Sequence, residues 1–213
     1  MARGRHIVIE GPIGVGKTSM TRMLAQRIGA RPLFEQASEN PFLEDFYRDR
    51  RKFAFQTQIF FLLSRWQQQK ELAQPDLFSE GVVADYLFAK DRIFAQLNLS
   101  ERELTLYNRL YDLLITDIPK PDLVVYLAAP TKVLLKRIRQ RGTPQERPIT
   151  SDYLEELNQT YNRFFFNYEE SPLLVVNTSE IDFVANTDDF EELLREILSH
   201  ERGVKHFIPL GSG

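Results

Sequence analysis

The sequence predicts an α/β fold, a parallel five-stranded sheet with helices on both faces. Short β-branched runs alternate with longer stretches of helical periodicity, and a glycine-rich segment joins the first run directly to the first helical stretch. Strand, helix, strand in that order requires crossover connections, and crossovers make neighbouring strands parallel.

The predicted strands are His6–Ile9, Arg31–Phe34, Gly81–Ala84, Leu123–Leu127 and Leu173–Val176. Each is short, rich in Val, Ile or Leu, and flanked by turn-forming or charged residues. Helices are expected to start near Lys17, Phe42, Arg51, Glu101, Thr131, Ser151 and Asp188, several of them opened by a Ser, Thr or Asp suited to capping. There is no internal repeat, low-complexity tract or Gly/Ser-rich linker, so residues 1–213 read as one domain.

Composition excludes several classes. No apolar run approaches the ~20 residues that span a bilayer, which removes the membrane as a partner. Met1 to Arg5 lead straight into the first apolar run without a signal-peptide pattern, so the chain is expected to stay in the cytoplasm. With no cysteine there is no disulfide or thiolate metal site, and any metal must be held by oxygen or histidine. A net charge of -3 offers no global basic field for a nucleic acid polymer, whereas Arg137, Arg139, Arg141 and Arg147 form a local basic cluster suited to a small anion.

The strongest motif is Gly11-Pro12-Ile13-Gly14-Val15-Gly16-Lys17-Thr18, which fits G-x-x-x-x-G-K-[ST] after a strand and at the start of a helix. In that context backbone N–H groups cradle phosphates, the helix N-terminus supplies a positive end, Lys17 reaches the β- and γ-oxygens, and the Thr18 hydroxyl holds Mg²⁺. The bland alternative is a Gly-rich turn without ligand. The motif makes the fold a P-loop NTPase type and implies ATP or another nucleoside triphosphate as phosphate donor. It leaves the acceptor open. No N-K-x-D guanine-reading tetrapeptide occurs, which argues against a GTP-dependent switch.

Glu35 directly follows the second predicted strand, at the end that opens in front of the γ-phosphate. A carboxylate there suits a hydroxyl acceptor, whose proton it takes during in-line transfer; a phosphate acceptor needs no base. Asp85, after the third strand, is placed to reach Mg²⁺ through water, or else caps the strand end. Arg137 and Arg141 lie four apart on one helix face and are expected to clamp the triphosphate from a lid at about 137–148, with Arg147 assisting and Arg139 pointing to solvent.

From these residues the chain resembles the deoxynucleoside kinase family, most closely its bacterial deoxyadenosine and deoxyguanosine kinase branch. The likeness rests on Ile9 to Thr18, Glu35 with Asn40-Pro-Phe-Leu43 and Phe46-Tyr47, Phe53-Ala-Phe-Gln56 with Gln58 and Arg65, Lys90-Asp-Arg-Ile-Phe-Ala95, and Arg137 to Arg141 followed by Asp152-Tyr-Leu154. It implies Glu35 as base, Tyr47 and Asp152 on the sugar 3′-hydroxyl, Gln58, Arg65 and Asp91 around the nucleobase, and a homodimer. Gln58 and Arg65, seven apart, share a helix face, and Gln58 can donate and accept in one plane. Taken singly, Tyr47 also reads as a core aromatic, Gln58 and Arg65 as a solvated face, and Asp91 as a helix cap. Phe53, Phe55, Phe60 and Phe61 read mainly as core, with one available for stacking on a base.

The chain departs from the family after the third strand, where Asp or Glu is usually followed by Arg and Ser: here Asp85-Tyr86-Leu87 stands, and Arg92 is the candidate substitute charge. The expected activity is transfer of the γ-phosphate to the 5′-hydroxyl of a deoxynucleoside, a purine one by family likeness. Two rivals remain: a thymidylate-type nucleoside monophosphate kinase, and a nucleotide-binding module without catalysis.

Overall fold

A computed structural model describes residues 4–72 and 81–209. Its centre is a parallel sheet of six strands in the order β2-β3-β1-β4-β5-β6. The strands are β1 Arg5–Glu10, β2 Arg31–Leu33, β3 Gly81–Ala84, β4 Leu123–Ala128, β5 Leu173–Asn177 and β6 Val204–Phe207. Central strand β4 is an apolar run throughout and β1 carries one at Ile7, Val8 and Ile9, because helices cover both faces there.

The sixth strand corrects the expected five. Val204–Phe207 is largely exposed along its length and carries Lys205 and His206, so it lacks the apolar run that marks a buried strand. What holds it is edge pairing with β5, in the register Leu173↔Val204 to Val176↔Phe207.

Among the described residues eight α-helices accompany the strands: α1 Lys17–Ile28, α2 Leu43–Arg48, α3 Arg50–Leu72, α4 Lys90–Asn98, α5 Glu101–Leu114, α6 Thr131–Arg141, α7 Ser151–Phe166 and α8 Thr187–Ser199. Seven match expected starts within a residue. The capping residues explain several: Glu103 reaches back to the Ser100 N–H at 2.9 Å before α5, Thr150 accepts from the Tyr153 N–H at 3.2 Å before α7, and Asn186 accepts from the Asp188 N–H at 2.9 Å before α8. The helix absent from the expected starts is α4, which opens from Ala89 with no side-chain cap; Asp91, the one capping residue read there, lies inside its first turn.

The main core is built from both sheet faces, with Ile7, Ile9, Val124, Leu127, Leu173 and Val176 meeting apolar side chains of α1, α6, α7 and α8. A smaller cluster joins Leu62 of α3 to Phe88, Ala95, Tyr107 and Tyr111, and a third joins Phe46, Ala54 and Tyr153. These satellites dock α2, α3, α4 and α5 over the strand ends, where α2, α3 and α4 wall a cavity against the P-loop. Among the described residues no helix is long and apolar enough to cross a membrane.

Candidate functional site

The turn from β1 into α1 bends through glycines that no other residue replaces cheaply. Gly16 caps α1 with φ 107°, and a Cβ there would lie 2.8 Å from the Phe183 ring. Gly14 has φ 85°, and its Cβ would meet the Ile138 side chain at 2.7 Å. The loop is thus pressed between α6 and the segment after β5.

Lys17 folds back over this loop, donating to the carbonyls of Gly11 at 2.7 Å and Pro12 at 3.2 Å. Burial, reinforced by the nearby Lys90, brings its ammonium down to about 8 in spite of Glu10, Glu35 and Asp85. The Thr18 hydroxyl donates to Asp85 Oδ2 at 2.8 Å, and the other oxygen of Asp85 accepts the Glu35 N–H at 2.6 Å. The two expected metal ligands therefore meet beside the phosphate cradle. A hydroxyl and a carboxylate form an all-oxygen pair of the kind Mg²⁺ takes when phosphate oxygens and waters complete its octahedron, so these residues fit that ion.

Lys17, Thr18, Glu35 and Asp85 line a cavity of about 320 Å³. Glu35 carries two cations: Arg65 donates to Oε1 through Nε at 2.8 Å and also through Nη2, and Lys90 donates to Oε2 at 3.0 Å. Burial raises its carboxyl, but Arg65 and Lys90 outweigh that and hold it far below the usual carboxylate range. Glu10, at the end of β1, accepts from the Gly11 N–H at 2.8 Å, the Leu87 N–H at 2.8 Å and the Tyr161 hydroxyl at 3.2 Å, fixing the P-loop to the segment after β3 and to α7.

The far wall comes from α2 and α3. Tyr47, Gln58 and Arg65 all line the cavity, as their expected roles require, and of the four phenylalanines on α3 only Phe61 does. Asp91 stands one layer back, fully buried. It pairs with Arg65 Nη1 and accepts from the Tyr107 hydroxyl at 2.9 Å, while Gln58 Nε2 donates to its carbonyl oxygen at 3.3 Å. Burial pushes the Asp91 carboxyl up to about 6, with Arg65 and Tyr107 acting against the rise. It orients the residues that face a ligand and does not line the cavity itself.

Several expected residues lie elsewhere. Asp152 is exposed in the first turn of α7, outside the cavity, where its charge complements the helix end. Besides Glu35 and Asp85, the carboxylate that lines the cavity is Glu146, which pairs with Arg141. Arg147 is exposed and outside the cavity. Arg92, the candidate substitute charge, is paired with Asp112 at 3.0 Å and stacked over Tyr111 on the outer side of α4.

Of the two expected clamps, Arg141 lines the cavity from the end of α6, but Arg137 does not. The Arg137 guanidinium donates to the carbonyls of Thr178 at 2.8 Å, Ile181 at 3.2 Å and Val15 at 3.4 Å, and to the Thr178 hydroxyl at 3.1 Å. It braces the P-loop against residues 178–181 and lines a second, open cavity with Gly14, Gly16, Asp182 and Phe183. Sequence reasoning missed that second cavity, and also Lys90 and Glu146. Lys90 stood inside a quoted motif, but only the fold brings α4 against Glu35.

The architecture agrees with comparison to known proteins. The deoxynucleoside kinase family profile matches residues 7–201. The chain is 37% identical over 196 residues to a deoxyguanosine kinase of Bacillus subtilis, covering 90% of this chain and 95% of that one. It is 32% identical over 205 residues to a deoxyadenosine kinase of Lactobacillus acidophilus, covering 90% and 94%. The solved structure of deoxyadenosine kinase from M. mycoides with bound dATP superposes with a TM-score of 0.80 at 27% identity, over 92% of this chain and all of that one. A profile match over nearly the whole length, relatives above 30% identity and a shared fold place this chain in the deoxynucleoside kinase family.

Proposed function

We propose that this protein transfers the γ-phosphate of ATP, or of another nucleoside triphosphate, to the 5′-hydroxyl of a deoxynucleoside, with purine deoxynucleosides preferred. The observation that carries the reading is the chain of contacts from Thr18 through Asp85 to Glu35, which sets a carboxylate at the acceptor end of the phosphate cradle. The purine preference rests on relatives that are deoxyguanosine and deoxyadenosine kinases.

In this reading the triphosphate lies along Gly11 to Thr18 with the donor base in the second cavity beside Arg137 and Phe183. Lys17 leaves the Gly11 and Pro12 carbonyls for the phosphate oxygens, and Arg141 closes from the lid, with Arg147 at its edge. Thr18 and Asp85 would hold Mg²⁺, which would supply charge neutralisation at the triphosphate. The deoxynucleoside enters the main cavity, its base against Phe61, Gln58 and Arg65, the last two oriented by Asp91, and its sugar at Tyr47.

Glu35 points its charge at the 5′-hydroxyl. A carboxylate so firmly ionised is a weak base in the resting site. Phosphoryl transfer has a loose transition state, so the proton leaves late, once the oxygen–phosphorus bond has begun to form, and a well-placed carboxylate suffices. The protein acts in the cytoplasm as a homodimer. Support for association is the exposed apolar pair Leu106 and Leu113, two turns apart on α5.

Coupled ADP release with a panel of deoxynucleosides and the matching deoxynucleoside monophosphates tests the reading. Turnover of the nucleosides, purines fastest, is expected. Turnover of monophosphates alone would transfer the assignment to a thymidylate-type kinase, and no turnover of either would leave a binding module.

A further inference from the structure

Lys90 occupies a position that packing alone does not explain. It is the first residue of α4, where the positive end of the helix disfavours a cation, and its side chain is only 4% exposed, where an ammonium loses its hydration. It also lies among like charges: its ammonium opposes that of Lys17, and the Arg65 guanidinium opposes its own. Three electrostatic costs fall on one residue, and the compensations are Glu35 Oε2 at 3.0 Å and the attraction of Glu10, Glu35 and Asp85. Sites that concentrate such costs are the ones arranged for chemistry.

The charges around it assign a role. Arg65 is committed to two carboxylates, Glu35 and Asp91, and Arg92 is turned outward to Asp112. Residue 86 carries no charge, and Tyr86 lines a separate small cavity with His6 and Gln69. Lys90 is therefore the cation that lines the main cavity between Glu35 and the phosphate-binding lysine. Its second contact, the Phe94 ring at 5.8 Å, leaves ammonium hydrogens for another acceptor.

We propose that Lys90 is the positioning and charge-supplying residue of the transfer step: it fixes Glu35 through Oε2 and turns positive charge toward the phosphoryl group as that group leaves the donor. The inference rests on the kinase reading above. In the step, the 5′-oxygen forms its bond to the γ-phosphorus, the bond from that phosphorus to the β–γ bridging oxygen breaks, the hydroxyl proton passes to Glu35, and the nucleoside diphosphate departs with the bridging oxygen. Lys90 stays protonated throughout. Because its charge matches the phosphoryl group in flight between donor and acceptor better than the same group still held on the donor, its removal lowers kcat more than ground-state binding of the deoxynucleoside.

The test compares wild type, Lys90→Met, Lys90→Arg and Arg92→Ala in steady-state kinetics with ATP and a purine deoxynucleoside, alongside calorimetric binding of the deoxynucleoside and thermal melts. Lys90→Met is expected to lose about 100-fold or more in kcat, the range for a preorganised charge, while the deoxynucleoside Kd changes less than about threefold. Lys90→Arg should recover at least a tenth of wild-type kcat, and Arg92→Ala should match wild type. Wild-type kcat in Lys90→Met overturns the inference, as does a kcat loss matched by an equal loss of binding that Lys90→Arg does not repair. If Lys90→Met does not fold, Lys90→Gln is judged by the same criteria. A wild type that phosphorylates no deoxynucleoside refutes the kinase reading instead, so the two failures are distinguishable.

Discussion

Replacing Asp91 by Asn separates support from contact. The amide keeps the shape of the side chain, its one oxygen can stay with Arg65 and its NH2 can turn to the Tyr107 hydroxyl oxygen, so the change removes chiefly the charge facing Arg65. Arg65 is 4% exposed and retains Glu35, which halves its compensation without abolishing it. Two charges in contact attract by about 4 kcal/mol in the effective dielectric of a protein site, and breaking a buried pair costs about 3–5 kcal/mol. With Glu35 remaining, the lower end applies, about 3 kcal/mol. At about 2–4 °C per kcal/mol for a chain of this size, Asp91→Asn should melt about 6–12 °C below wild type by calorimetry. Because Asp91 acts through Arg65 and Gln58, the KM for every deoxynucleoside should rise together, leaving the order of preference among bases unchanged. An unshifted melting temperature combined with an altered base preference would refute the arrangement, since it would mean that Asp91 touches the base directly.

Glu35→Gln should lower kcat with deoxynucleosides by about two to four orders of magnitude with little change in acceptor KM, and unaltered kcat would remove Glu35 from the mechanism. Lys17→Ala should abolish transfer in a folded protein. Its ammonium, about 8 in the nucleotide-free fold against 10.5 for a free lysine, loses charge as pH rises through 8. Titration calorimetry should therefore show donor affinity falling above that pH. The sign for stability is opposite: the folded value is the lower one, so from this group the nucleotide-free protein gains stability between pH 8 and 10.5 and loses it again as pH falls through 8. Wild type should favour a 2′-deoxynucleoside over its 2′,3′-dideoxy counterpart by about tenfold to several-hundredfold in kcat/KM, because the missing hydroxyl strands polar groups worth about 1–3 kcal/mol each. Tyr47→Phe and Glu146→Gln should narrow that ratio and Asp152→Asn should not. The opposite pattern would restore the sugar contact to Asp152.

What the sequence disclosed was whatever is local. The phosphate cradle is a contiguous backbone turn, so its glycines, lysine and threonine are readable without knowing the fold. Gln58 and Arg65 were legible for the same reason, since seven residues along one helix fix a shared face. The lid was harder. Arg137 and Arg141 share a helical face in sequence, yet only the packing of α6 against residues 178–181 reveals that Arg137 is spent on backbone carbonyls. The motif position of Asp152 did not disclose that α7 carries it to solvent while Glu146 enters the cavity. Lys90 was invisible as a site residue because its partner is 55 positions away. β6 was missed because an edge strand is held by its backbone, which leaves no apolar pattern to read.

Helix α3 runs unbroken for 23 residues past the acceptor cavity, and this makes it a ruler. At 1.5 Å per residue, Gln58 and Arg65 stand about 10.5 Å apart along its axis, with Phe61 between them. The cavity-lining side chains of α3 are therefore graduated on a single rigid rod. Recognition at one mark can be rewritten by exchanging one side chain while the other marks hold their spacing. Shifting the marks themselves is a different matter: inserting a single residue between 58 and 65 would swing Arg65 about 100° around the axis and uncouple it from Glu35. Lineages of this fold should thus vary the letters on α3 freely and its length in that interval scarcely at all.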